Sequence, residues 1–151
     1  MIDIKEFPDH LKSLDGQDWL KLFSLIPEIE RTKAFGEWEE FEEKHPGVYV
    51  MPCFVNAEIV QRFCQTMYEL RLVPSFDWPS WTEGKRILDA EETDKFSSLD
   101  SVTLCKLLTV IIRSDRFCEG TLNLFFSRGI VLAILKELHR KHGMLESQVQ
   151  V

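Results

Sequence analysis

The sequence predicts a mainly all-α fold: a compact single-domain bundle of about six or seven helices, with at most one short strand near residues 48–54. Three observations carry this. Apolar residues recur at helical spacing over most of the 151 residues. Proline and glycine punctuate those stretches. Only one run, GVYVMPCF, reads as β-like, and it has no obvious partner strand.

The elements follow in order. Residues 3–14 hold a first helix limited by Pro8. Trp19, Leu20, Leu22, Phe23 and Ile26 form an apolar stripe, with Asp15 or Gln17 near its start and Pro27 ending or restarting it. Trp38 and Phe41 sit on an acidic segment that reads as a short helix with the aromatics inward. GVYVMPCF, bounded by Pro46 and Pro52, is an extended linker or a short strand. Asn56 to Leu70 is a helix with Asn56 as N-cap, a Val55–Val60 staple, and Ile59, Val60, Phe63, Cys64, Met67 and Leu70 on one face.

Phe76, Trp78 and Trp81 then lie in a turn held by Pro74 and Pro79, and DAEETDKFSS reads as an exposed connection. Ser97 to Asp100 carry a capping-box-like start. Leu99 to Ile112 are apolar on most faces, which marks a buried central helix despite Lys106. Leu122, Phe125 and Phe126 share a face that Gly129 terminates. Ile130, Val131, Ile134, Leu135 and Leu138 continue the period towards Gly143. Residues 1–14 and 144–151 are expected at the periphery, the latter frayed. The helices 56–70 and 99–113 should form the centre.

Composition narrows the class. The chain is 44% hydrophobic and 28% charged, as in ordinary soluble proteins. Its net charge of −7 is uneven: residues 1–45 carry 12 acidic and 6 basic side chains, and residues 101–151 carry 4 and 7. The acidic front argues against nucleic acid as a partner. The basic KELHRKHG stretch reads as a solvated helix end that complements the helix dipole. No apolar run approaches the ~20 residues of a membrane span. The charged MIDIKEFPDHLK opening does not read as a signal peptide. A cytoplasmic, reduced protein is expected, with Cys53, Cys64, Cys105 and Cys118 as small hydrophobes in the core.

The densest chemistry lies in RSDRFCEG, residues 113–120. Arg113 and Arg116 could hold a phosphate or other anion, with Asp115 or Glu119 as acid or base. The plainer reading is an ion network at a helix junction, in which Arg116 pairs with Glu119 and Asp115 caps a helix starting at Arg116. The plainer reading is favoured, because structural ion pairs are commoner than sites. Cys118 has no base nearby in sequence. His139 and His142 share helical i,i+3 spacing, but two ligands make no zinc site. No nucleotide-, calcium- or serine-hydrolase motif occurs, so no catalytic residue, metal or cofactor is assigned.

FDWPSW (Phe76–Trp81), LLTVIIRSDRFCEGTL (Leu107–Leu122) and RGIVLAILKEL (Arg128–Leu138) together resemble domain of unknown function 6508. LIPEIE and VYVMPCF extend the likeness. The resemblance places weight on Phe76, Asp77, Trp78, Trp81, Arg113, Asp115, Arg116, Phe117, Glu119 and Gly120. It implies a bacterial or phage-related cytoplasmic protein and supplies no activity. The expected function is a non-enzymatic module that binds a protein partner or a small ligand. Candidate binding residues are Arg113, Arg116, Asp115, Glu119, Trp78, Trp81 and Asp77. The alternatives are a phosphate- or anion-binding protein or enzyme using those arginines, and a structural homodimer joined through the DWPSW aromatics.

Overall fold

Prolines and aspartates decide where several helices begin. A computed structural model of the chain describes residues 1–39, 47 and 53–149, with side chains through Gly143. Pro8 sits in the first turn of α1 (Phe7–Ser13), where its missing N–H has no helical partner to lose. Asp15 and Asp18 cap each other's backbone at the start of α2 (Gly16–Phe23). Pro27 restarts the chain as α3 (Ile26–Arg31). Two strands follow, β1 (Gly36–Glu39) and β2 (Cys53–Asn56), paired antiparallel with Trp38 opposite Phe54.

Then come α4 (Glu58–Glu69), a 3-10 turn at Trp78–Ser80, α5 (Thr82–Ala90) and a second 3-10 turn at Thr93–Ser98. Asp100 Oδ1 accepts a hydrogen bond from Thr103 N–H at 2.8 Å and starts α6 (Ser101–Ser114). The chain closes with α7 (Thr121–Ser127) and α8 (Ile130–Val149). Gly129, at φ +77°, makes the left-handed turn between these two. None of the helices is long and apolar enough to cross a membrane, among the described residues.

The all-α expectation holds, with corrections. Eight α-helices are present among the described residues, not six or seven, because α5 occupies part of what reads as turn and exposed connection. Its amphipathic face is short and buries only Gly84 and Leu88. The strand expected at 48–54 overlaps β2, and residues 48–52 lie outside the described ones. Its partner is β1, so Trp38 is on a strand rather than a short helix; Phe41 also lies outside the described residues. Asn56 ends β2 and does not cap α4; Ala57 takes the N-cap position without a side-chain bond. The backbone of α8 runs as a helix to Val149.

The buried side chains form one cluster. α6 buries eight residues and is central, as its periodicity predicts. Its companion at the centre is α8, which packs against α2, α3, α6 and α7, whereas α4 packs on α2. The stripe Ile130, Val131, Ile134, Leu135 and Leu138 is fully buried, which explains that role. Residues 1–14 are not peripheral. Phe7 and Leu11 enter the core, and Ile4 N–H and Ser75 N–H bond across to Ser75 and Ile2 carbonyls.

Gly84 lies buried inside α5, and a Cβ there would overlap the indole of Trp81. Alanine is the better helix former by ~1 kcal/mol. Overpacking costs ~1–3 kcal/mol. Gly84→Ala should therefore lower stability by about 1 kcal/mol in urea unfolding. A stabilised variant would show that Trp81 moves aside freely.

Candidate functional site

The segment 113–120 ends α6 and turns into α7, and its acids are spent on backbone groups. Asp115 Oδ1 accepts from Gly120 N–H at 3.2 Å and from Leu122 N–H at 3.0 Å. It thus caps α7 from upstream, and no helix starts at Arg116. Gly120, at φ +95°, allows that return. Glu119 Oε1 accepts from Phe54 N–H at 2.7 Å and ties β2 to the turn.

The expected ion network is therefore not formed among the described residues. Arg116 is exposed, and its guanidinium takes no partner there. Arg113 is half-buried; its Nη2 meets Met1 Sδ, and its Nε is buried without a partner. Carboxylate oxygens that already accept backbone N–H groups have less capacity left for guanidiniums.

The two motif segments do meet. The Trp78 and Phe117 rings lie 5.9 Å apart, and Phe117 remains 82% exposed. Trp81 packs edge-on to Phe76, and Lys106 Nζ sits 4.1 Å from the Trp81 ring and 4.9 Å from Phe76. Asp77 is exposed, with no partner among the described residues. Lys106 goes unnamed among the sequence candidates, although a lone cation in an apolar helix was the signal for it.

A cleft of about 630 Å³ lies at the opposite end of α6, between α1, α2 and α8. Leu11, Leu14, Trp19 and Val102 give it apolar walls. Ser101 and His142 also line it, with Ser101 Oγ and His142 Nε2 2.8 Å apart. Trp19 stacks on the His142 ring at 4.0 Å and on Phe23 at 5.5 Å, so the imidazole is held flat against an aromatic wall. Asp15, Asp100 and Lys12 also line the cleft. None of its lining residues belongs to 113–120.

His142 is therefore not part of a solvated helix end. It follows Val131, Leu135 and Leu138 on the buried stripe of α8, and that period was legible. His139 is exposed and lies edge-on to Phe23. Cys118 is exposed too, contrary to the core expectation. Cys105 fits it: burial pushes its thiol up to about 12. Cys64 is half-buried, and burial with the nearby Asp115 raises it to about 11. Among the described residues, no group of three or more His, Cys, Asp or Glu is placed to hold a metal ion.

Burial, then Lys141, holds His142 below the ordinary imidazole range. The folded state thus binds this proton less readily than the unfolded state. The resulting stability is complete above the unfolded pKa of ~6.5 and is lost as pH falls below it. Asp100 is held low by its bonds to Thr103, so its contribution is lost only below ~3.9. The melting temperature should therefore drop between pH 7.5 and 5.5, with a shallower drop in His142→Gln. Equal slopes in the two proteins would contradict this assignment.

Fold and cleft together define a small all-α protein with an open, largely apolar cleft at one end of its central helix. Residues 14–142 match the family of unknown function DUF6508, and the chain belongs to that family. No curated protein and no solved structure matches the chain.

Proposed function

We propose that this protein is a binding module that holds a small, mostly apolar molecule in the cleft between α1, α2, α6 and α8. The observation that carries the reading is the union of apolar walls with one convergent polar pair, Ser101 and His142. Small-molecule sites commonly combine such walls with few polar groups in volumes of ~300–1,000 Å³. A ligand would set its apolar body against Leu11, Leu14 and Val102 and offer one hydrogen-bonding group to the pair. Ligand-observed NMR with a neutral fragment library tests this. Binders should lose their signal with Val102→Phe, which fills the cleft. A library without a cleft-dependent binder would remove the reading.

A second reading keeps the arginine face as a site for an anion or an acidic partner. It is supported by Asp115 and Glu119 being bonded to backbone N–H groups, which leaves Arg113 and Arg116 without a carboxylate among the described residues. Sulfate should then shift backbone amide signals of residues 113–120, and Arg116→Ala should abolish the shift. An unchanged spectrum in the parent protein would discard it.

A further inference from the structure

The cleft holds a hydroxyl and an imidazole in hydrogen-bond contact, which is more than passive binding needs. We propose that Ser101 and His142 form a hydrolytic dyad acting on small neutral carboxylic esters seated in the cleft, an inference that rests on the cleft being a ligand site.

Four observations support it. Ser101 Oγ lies 2.8 Å from His142 Nε2, within reach for direct proton transfer. In the tautomer with the proton on Nδ1, the hydroxyl donates to Nε2. Burial favours the neutral imidazole, so the base is available at neutral pH. Both side chains line one cleft in which Leu11, Leu14, Trp19 and Val102 form apolar walls, so an acyl group can lie beside the hydroxyl. Trp19, 4% exposed and wedged between Phe23 and His142, fixes the ring plane.

The backbone adds donors. Asp100 already takes Thr103 N–H on its side chain and Leu104 N–H on its carbonyl. Ser101 N–H and Val102 N–H take no partner among the described residues. These first-turn amides are donors, but the Asp100 carboxylate beside them opposes a developing negative charge, so the dyad carries the proposal without an oxyanion site.

The chemistry balances with water as the only co-reactant. Ser101 Oγ attacks the ester carbonyl carbon while its proton passes to His142 Nε2. The tetrahedral adduct collapses, the carbon–alkoxy bond breaks, and the alkoxy oxygen leaves with that proton as an alcohol. Water then gives a proton to His142 and adds to the acyl carbon. Ser101 Oγ departs, recovers the proton, and the carboxylic acid is released.

The substrate class follows from the lining. Asp15 and Asp100 against the single Lys12 leave the cleft lining with net negative charge, which disfavours phosphate or carboxylate substrates. No carboxylate bonds His142 Nδ1 among the described residues, so the dyad lacks the third group that orients a full triad. Such a dyad suits leaving groups that depart easily, so esters rather than amides.

The test uses the full chain with p-nitrophenyl butyrate and an alkyl fluorophosphonate. The expected results are one covalent adduct on Ser101 by mass spectrometry and hydrolysis above buffer. That rate should fall about 100-fold in Ser101→Ala and in His142→Gln, and stay unchanged in His139→Gln. The adduct is read on the unmutated protein, so it does not depend on variants folding. No adduct on Ser101, or full activity in Ser101→Ala, overturns the dyad. The non-hydrolysable p-nitrophenyl butyl ether separates the two claims. If no adduct forms while the ether still binds in a Val102-dependent way, the cleft stands and the dyad alone falls; if the ether does not bind either, both fall.

Discussion

Phe126→Ala should lower the unfolding free energy by about 3–5 kcal/mol, enough to leave a marginal protein largely unfolded at 37 °C. Phe126 is 2% exposed and sits where three parts of the chain meet. Its ring centre is 5.2 Å from Phe63 on α4, edge to face, and 5.2 Å from Phe35, just before β1. Truncation removes the transfer energy of the ring and leaves a cavity among large neighbours that cannot all collapse inward. Geometry-dependent ring contacts add ~0.5–1.5 kcal/mol. Urea unfolding followed by circular dichroism measures the loss. A cost below ~1.5 kcal/mol would mean that the site repacks freely.

Asp115→Ala should cost about 2 kcal/mol, the upper range for a helix cap. One carboxylate oxygen holds two amides at the start of α7, and removing it leaves both in a half-buried turn. The N-terminal pole of α7 also favours a negative charge there. Asp115→Asn keeps an acceptor oxygen and loses the charge. It should retain more than half of the stability that alanine loses. If asparagine and alanine cost the same, the charge matters rather than the bonds.

These residues illustrate what was legible in the sequence. The long periods were: α6, α8, α2 and α4 all lie where apolar spacing puts them, because burial of one face dominates in long helices. The Gly129 break follows from local backbone chemistry and was equally visible. The capping-box-like start at Ser97–Asp100 is displaced: Thr93–Ser98 form a 3-10 turn and Asp100 itself caps α6. α5 was hidden, because nine residues with two buried positions leave almost no period. β1 was hidden for another reason. Its four residues pair with a strand fourteen positions further on, and such pairing is not written locally.

The site was legible in pieces. Asp115 and Glu119 are important positions, but their partners are backbone amides at Gly120, Leu122 and Phe54, which no side-chain spacing announces. The cleft needs α1, α2, α6 and α8 together. Only His142, in step with Leu138 and Leu135, carried a local sign of it. The arginines drew attention through charge density. Charge density reports composition and not which acids remain available.

The bond from Phe54 N–H to Glu119 has a bearing on how the protein behaves when crowded. A two-stranded ribbon offers open rims to which a neighbouring chain can add a strand, the route to fibrous association. On β2, the central donor is already occupied, and the occupant brings a negative charge. On β1, Glu37 and Glu39 supply charges of the same sign. Glu119 thus places a charged gatekeeper on the outward donor of β2, and Glu119→Ala would leave that Phe54 N–H without its carboxylate.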